Sequence, residues 1–364
     1  MNESSSTSAR MKRRESRFMR ALRREPVDQT PIWLMRQAGR YLPEYRATRA
    51  KAGDFLTLAG TPELACEVTL QPIQRYGFDA SILFSDILIL PHVMGLELSF
   101  TPGEGPKFAR TIRHPDDVRN LPTPDPMNET RAVMQAVELI RQELPAETPL
   151  IGFAGSPWTV ATYMIEGGSS KDFAKARRFL LQQPEAAEHL IQHLARCTTD
   201  YLLAQVASGA DALMLFDSWG GVLSPSLFHR FSLNGMKSIV QTIQQQHPDV
   251  PIILFAKGCA FHLEALADTG CQALGIDWTT TLSDARRRVG DRVALQGNLD
   301  PVVLTSSAAV IEQAVQDTLD DYGEGPGHVF NLGHGITPDV PPEHVDVLVE
   351  TVRNYRSGKL TPST

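Results

Sequence analysis

Eight short apolar runs, spaced along the chain and separated by helical patterns, constrain this fold more than any other feature of the sequence. They are PIWLM (31–35), ASILF (80–84), LIGFAG (150–155), ALMLF (212–216), IILFA (252–256), ALGID (273–277), VALQG (293–297) and VFNLG (329–333). None has the clean apolar–polar alternation of a strand exposed on one face. Apolar runs of this length belong to strands covered on both faces, as in parallel sheets. Helical patterns intervene at 131–144, 185–208, 234–246, 261–270, 282–290 and 310–323. Strand and helix alternating in this way predict an α/β protein, a single-domain (β/α)8 barrel. Leu96 to Leu121, centred on PGEGP, alternates like a hairpin and reads as an insertion after the second strand. No repeat of roughly 20–50 residues recurs, so a solenoid is not indicated.

Length agrees with that reading: 364 residues would suggest about two domains, but α/β barrels of this size form one. The expected layout is a flexible basic extension over 1–15, a barrel over 16–357 and a short tail over 358–364. No apolar run approaches the ~18 residues of a membrane span. The net charge is −7, yet residues 1–25 hold eight Lys/Arg against Glu3, Glu15 and Glu25, leaving about −12 for the rest. An acidic body argues against a nucleic-acid partner. The start, MNESSSTSAR, lacks the apolar stretch of a secretory signal. Its Arg- and Ser-rich composition would suit a transit peptide, but Phe18, Met19 and Leu22 look like one face of a docked helix. Met11 is an alternative start. Cys66, Cys197, Cys259 and Cys271 have no C-x-x-C spacing, as expected of reduced thiols in a cytoplasmic protein.

In such a barrel the chemistry gathers at the carboxyl ends of the strands. In order, those ends carry Arg36, Ser85-Asp86, Ser156-Pro157 with Tyr163 shortly after, Asp217-Ser218-Trp219, Lys257, Asp277, Asn298-Leu299-Asp300 and His334. Arg36 and Arg40 are four apart and share a face if their segment is helical. Two guanidinium forks there would clamp carboxylates or phosphates; a surface ion-pair stripe with Glu44 would explain the same spacing. Asp86 lies between the apolar runs ASILFS and ILIL, where a carboxylate is desolvated and needs a partner or a task. A helix cap or structural ion pair would also account for it. His334 fits a proton carrier or a backbone-bonded structural histidine equally well. Tyr163 and Ser218, taken alone, read as structural.

Metal and cofactor motifs find less support. His189 and His193 are four apart, but H-E-x-x-H is absent, so a solvated helix face is expected there. GEGPGH (323–328) and EGGSS (166–170) match neither phosphate-binding glycine pattern. Lys257 is the one candidate for a Schiff base. The residues alone therefore point to a barrel without metal or cofactor that binds a multiply anionic ligand.

Seven stretches go further. MRQAGRYLPEYR, LFSDIL, FAGSPWTVATYMIEG, FDSWGG, LGIDW, LQGNLDP and NLGHGI, in this order, closely resemble the uroporphyrinogen decarboxylase family, over Phe18 to Tyr355. The resemblance implies a (β/α)8 barrel, a homodimer and no metal or organic cofactor. It implies removal of carbon dioxide from the four acetate side chains of uroporphyrinogen, leaving methyl groups and giving coproporphyrinogen. Carried over motif by motif, the substrate-binding residues are Arg36, Gln37, Ala38, Gly39, Arg40, Asp86, Tyr163, Ser218 and His334. Asp86 is implied to lie beneath the macrocycle and accept its pyrrole N–H groups, with Arg36 a second catalytic candidate. One departure stands out. Many bacterial relatives read K-G-G-G-x-W-L after strand five, where this chain has Lys257-Gly258-Cys259-Ala260-Phe261-His262-Leu263. Two alternatives compete with this reading. A corrinoid-dependent methyltransferase would carry His-x-Cys zinc ligands, which are absent. A tetrapyrrole binder without turnover would have no evident need of Asp86.

Overall fold

Burial on both faces selects parallel pairing, and the strands of the parallel sheet are almost wholly buried. The computed structural model describes residues 3–101 and 105–355. Its strands are β1 (Ser81–Ile82), β2 (Leu98–Thr101), β3 (Gly105–Phe108), β4 (Leu150–Gly155), β5 (Ala212–Asp217), β6 (Ile252–Ala256), β7 (Ala273–Gly275), β8 (Ala294–Gln296) and β9 (His328–Val329). Every residue of β4 and β6 is buried. Seven strands form one parallel sheet in the order β1-β4-β5-β6-β7-β8-β9.

The first apolar run closes that sheet into a barrel. Ile32 bridges Phe330 in parallel on one side, with Phe330 N–H donating to the Pro31 carbonyl at 2.8 Å. On the other side Asp79 N–H donates to the Ile32 carbonyl at 2.9 Å, and Ile32 N–H donates to Asp79 Oδ2 at 2.8 Å. Regular pairing stops there because Met35 N–H donates to the Asn331 side chain, at 2.9 Å, instead of to backbone. All eight expected strand positions are therefore occupied, the first by a bridge rather than a ladder. The expected (β/α)8 architecture is present.

The predicted insertion is an antiparallel hairpin of β2 and β3, pairing Leu98 with Phe108. Most of its PGEGP turn lies outside the described residues. The hairpin sits on the end of the helix Pro157–Glu166: Phe108 N–H donates to the Gly167 carbonyl at 2.9 Å, and Lys107 bridges Gly168.

Several helices that escaped the sequence pattern begin with proline at the first turn, among them Pro43–Ala52, Pro62–Tyr76 and Pro342–Asn354. The missing N–H costs nothing there because the first-turn donors have no helical partner. Pro72 inside Pro62–Tyr76 obscured that helix further. Phe18, Met19 and Leu22 do form the buried face of a helix, Arg17–Leu22. The basic start forms a helix too, Glu3–Arg14, and Arg13 Nε donates to Asp211 at 2.7 Å. The tail over 358–364 lies outside the described residues. His193 departs from expectation: it is buried rather than solvated, and its Nε2 lies 3.0 Å from the Pro122 carbonyl. Among the described residues no helix is long and apolar enough to cross a membrane.

Asp79 joins three parts of this closure, since its second oxygen accepts Arg17 Nη1 at 2.9 Å. Asp79→Ala is expected to lower the unfolding free energy by about 2 kcal/mol, the cost of hydrogen bonds to a charged group. Urea denaturation measures this, and an unchanged midpoint would show that Ile32 closes the barrel without it.

Candidate active site

Closure of the barrel by Ile32 carries the chain directly to Arg36. Arg36 adopts a left-handed conformation, φ 62°, which a side chain with a Cβ enters only under constraint. The constraint comes from both neighbours of the strand end. Met35 N–H is held by Asn331, and Ile336 N–H donates to the Met35 carbonyl at 3.0 Å. Arg36 then crosses the backbone of Gly335 so closely that a Cβ there would lie 2.7 Å from Arg36 Cγ. The glycine after His334 is thus required by the arginine after strand one.

Residues 36–42 form turns, not a helix, so Arg36 and Arg40 do not share a helical face. The ion-pair stripe is also absent, because Glu44 is taken by Arg75 at 2.7 Å. The Arg36 and Arg40 side chains are exposed and have no ion-pair or hydrogen-bond partner among the described residues. Arg46, in contrast, braces the turn by donating to the Arg40 and Tyr41 carbonyls at 2.8 and 3.1 Å. Gln37 is fully buried; it accepts Leu34 N–H at 3.2 Å and donates to the Ala80 carbonyl at 3.3 Å. Its side chain is committed to structure. Ala38 and Gly39 are half-buried, and their N–H groups meet no acceptor among the described residues.

Asp86 is half-buried just beyond β1. Its Oδ1 accepts Leu88 N–H at 2.8 Å, while Oδ2 has no partner among the described residues. The capping alternative is therefore true of one oxygen only. Burial pushes this carboxyl up to about 6, against the opposing pull of Leu88 N–H and the Arg36 guanidinium. Burial acts on His334 in the opposite direction, lowering it to about 4 with help from the charges of Arg36 and Lys257. A neutral imidazole results, 5.9 Å from the Phe255 ring centre. Tyr163 is buried and also feels Asp86 and Arg36, and its hydroxyl oxygen accepts Trp219 Nε1–H at 3.1 Å.

Arg36, Asp86, Tyr163 and His334 therefore lie near enough at the strand ends to act on one another, with Arg36 acting on each of the other three. Two expected residues are less directly tied to this group. Arg40 acts on Tyr45, whose ring packs 5.7 Å from that of Phe84, two residues before Asp86. Ser218 is half-buried between Asp217 and Trp219, and its hydroxyl has no partner among the described residues.

Sequence reasoning missed the role of Asn331, which lies in NLGHGI beside the more obvious His334. It also left Lys257 without a binding role. That ammonium lies 5.2 Å from the centre of the Trp278 ring and acts on His334. Among the described residues no group of three or more His, Cys, Asp and Glu side chains gathers to hold a metal ion.

The raised Asp86 carboxyl has a consequence for stability. The folded protein holds this proton more tightly than the unfolded chain, whose value is 3.8, so stability from this group is greatest below that pH and falls as pH rises towards about 6. Asp86→Asn is expected to raise the unfolding free energy at pH above about 7 by about 1–2 kcal/mol, allowing for the partial exposure of the group. Urea unfolding reads this, and no gain would place the carboxylate in a water-like environment.

A uroporphyrinogen decarboxylase (URO-D) family model matches residues 13–355. The uroporphyrinogen decarboxylase of Alkalilimnicola ehrlichii is 58% identical over 341 residues, covering 93% of each chain. That of Erwinia tasmaniensis is 57% identical over 351 residues, covering 95% of this chain and 99% of its own. A methyltransferase from Methanosarcina mazei superposes with a TM-score of 0.78 over 93% of this chain and 97% of its own, at 21% identity, a likeness of fold alone. With the family match running through every strand of the barrel, the chain belongs to the uroporphyrinogen decarboxylase family.

Proposed function

We propose that the protein decarboxylates the four acetate side chains of uroporphyrinogen to methyl groups, giving coproporphyrinogen, with Asp86 as its central catalytic group. One observation carries the assignment of roles: a half-buried carboxylate with a free oxygen stands near cations that form no ion pair among the described residues. A substrate bearing eight carboxylates supplies the missing partners, and its pyrrole N–H groups supply donors for Asp86.

The chemistry follows from charge. Loss of carbon dioxide from an acetate leaves an electron pair that needs a sink, and a pyrrole protonated at carbon provides one. A proton then taken up by the resulting methylene completes the methyl group, and loss of the proton first added to the ring carbon restores the aromatic pyrrole. The ring is cationic after each protonation and neutral between them. A fixed carboxylate aimed at its nitrogens stabilises that charge as it develops. With Asp86 at about 6, the group is ionised at neutral pH and can play this part. Since the ring is the electron sink, the scheme calls for no cofactor.

Arg36 is the guanidinium acting on Asp86, so it holds the reacting acetate, while Arg40 takes a more distant carboxylate. A guanidinium stays charged under ordinary conditions, which suits a clamp better than a proton donor. The free N–H groups of Ala38 and Gly39 extend the clamp, and Gln37 serves by fixing the turn that presents them. Tyr163, Ser218 and neutral His334 orient the ring and its carboxylates.

Association into a homodimer belongs to the same reading. It is supported by Phe261 and Val302, which are 89% and 62% exposed on the segments following β6 and β8. Four free, buried cysteines support a reducing, cytoplasmic setting.

Purified protein incubated with reduced uroporphyrinogen, without added metal, is expected to yield coproporphyrinogen; no loss of carboxyl groups would sink the proposal. Asp86→Asn is expected to lower kcat by roughly 10²–10³-fold while changing substrate affinity far less. Equal losses in both would reduce Asp86 to an anchor. Arg36→Ala is expected to weaken substrate binding roughly 10–100-fold, as loss of a charged hydrogen bond does. Unchanged affinity would remove it from the clamp.

A further inference from the structure

We infer that Trp219 is a positioning residue for the reaction, holding the Tyr163 hydroxyl oxygen so that Tyr163 meets the substrate as a hydrogen-bond donor to a carboxylate. The inference rests on the placement of Tyr163 against substrate proposed above. Its basis is a chain of hydrogen bonds whose directions are fixed by the groups that make them.

The chain starts at Asp217, the last residue of β5, which is fully buried and has no ion-pair partner among the described residues. Three hydroxyls take the place of a counter-ion. Ser156 and Thr159 donate to its Oδ1 at 2.9 and 2.6 Å, and Ser232 donates to its Oδ2. Having given its proton to Asp217, the Thr159 oxygen has only lone pairs left. It accepts Trp219 N–H at 3.2 Å. The Trp219 carbonyl accepts Trp158 Nε1–H at 2.9 Å, so the residue is held at both ends of its peptide unit. Its ring is braced by Phe173, 4.6 Å away between centres.

From that position the Trp219 indole, a donor only, gives its N–H to the Tyr163 oxygen at 3.1 Å. A phenol has one proton. With a donor seated on its oxygen, that proton cannot point towards Trp219 and is turned to an acceptor elsewhere; the exposed Ser169 side chain, the other hydrogen-bonding neighbour of this hydroxyl, gives way to a carboxylate when substrate binds. Carboxylates accept and pyrrole N–H groups donate, so Tyr163 is tuned to a substrate carboxylate rather than to the ring nitrogens. Asp86 keeps the complementary task. The two groups then divide the substrate between them by hydrogen-bond polarity.

The test compares Trp219→Phe, Tyr163→Phe and the double variant, with Trp219→His as a variant that keeps a ring N–H. Trp219→Phe keeps a smaller aromatic ring against Phe173 and removes the donor. It is expected to raise KM about five- to tenfold with kcat much less affected, as loss of one hydrogen bond does. In the Tyr163→Phe background it is expected to add nothing, because its effect passes through the missing hydroxyl. Trp219→His is expected to keep KM nearer that of the unaltered protein. Effects of Trp219→Phe and Tyr163→Phe that multiply in the double variant would overturn the inference, as would an unchanged KM in Trp219→Phe or equal KM values for the Phe and His variants. If Tyr163→Phe alone left KM unchanged, the placement of Tyr163 against substrate would fall, a separate failure from that of Trp219.

Discussion

The two-sided pairing of Ile32 is the interaction on which the rest of this molecule depends. Without it the sheet would have open edges at β1 and β9, and the segment after it would have no fixed direction. With it, hydrogen bonds to Phe330 on one side and Asp79 on the other complete the ring of strands. The same closure imposes the left-handed conformation of Arg36, which costs roughly 1–2 kcal/mol for a residue with a Cβ. Asn331 and the Met35 carbonyl hold that conformation from the far side of the seam. Strain at the clamp and closure of the barrel are thus one event, and glycine at 335 is its steric condition.

Across the described residues, many arginines away from the strand ends are paired, among them Arg13 and Arg141 with Asp211, Arg17 with Asp79, Arg75 with Glu44, Arg230 with Glu188 and Arg288 with Glu264. Others, such as Arg46 and Arg353, donate to backbone carbonyls. At the mouth the pairing stops. Arg36 and Arg40 face solvent unpartnered, and Lys257 meets an aromatic ring instead of a carboxylate. The local acids are engaged in other ways, Asp217 by hydroxyls and Asp277 by the Gly258 N–H at 2.6 Å. An acidic protein therefore presents a cationic mouth without being basic overall, because its own carboxylates are kept from neutralising it. Burial then separates the two titrating groups that remain, raising Asp86 and lowering His334.

Much of this was legible in the sequence, and the exceptions have identifiable causes. β4 and β6 match their apolar runs end to end, since both faces of each are buried and periodicity cannot mislead. β1 and β9 are only two residues long, because the chain leaves the sheet to build the mouth before its apolar run ends. Arg36 and Arg40 follow a strand end, but the helix in which their spacing would have given them a common face is absent; the turn arises from a left-handed residue that a single sequence does not announce. Gln37 looked like a ligand contact through its motif, yet its amide completes backbone hydrogen bonds across the strand-one seam. A polar residue type marks that a site is near without saying whether it faces the ligand or the scaffold. Asn331 and Trp219 belong to the second kind, and only geometry separates them from the first.

The loop after β6, which differs from the K-G-G-G-x-W-L pattern that the resemblance led one to expect, is held at fixed points next to the mouth. Lys257 N–H donates to the Asp217 carbonyl at 3.0 Å, Gly221 N–H donates to the Lys257 carbonyl at 3.2 Å, and Asp277 holds Gly258 N–H. These bonds use backbone on the loop side, so they do not read the residues that follow. Cys259 turns inward and is buried, where burial and the nearby Asp217 and Asp277 push its thiol well above its ordinary range and keep it unreactive. His262 stacks on Phe228 with ring centres 4.3 Å apart. Phe261 is left outside, 89% exposed. The ammonium that acts on His334 is positioned by main-chain bonds to the two neighbouring strand ends.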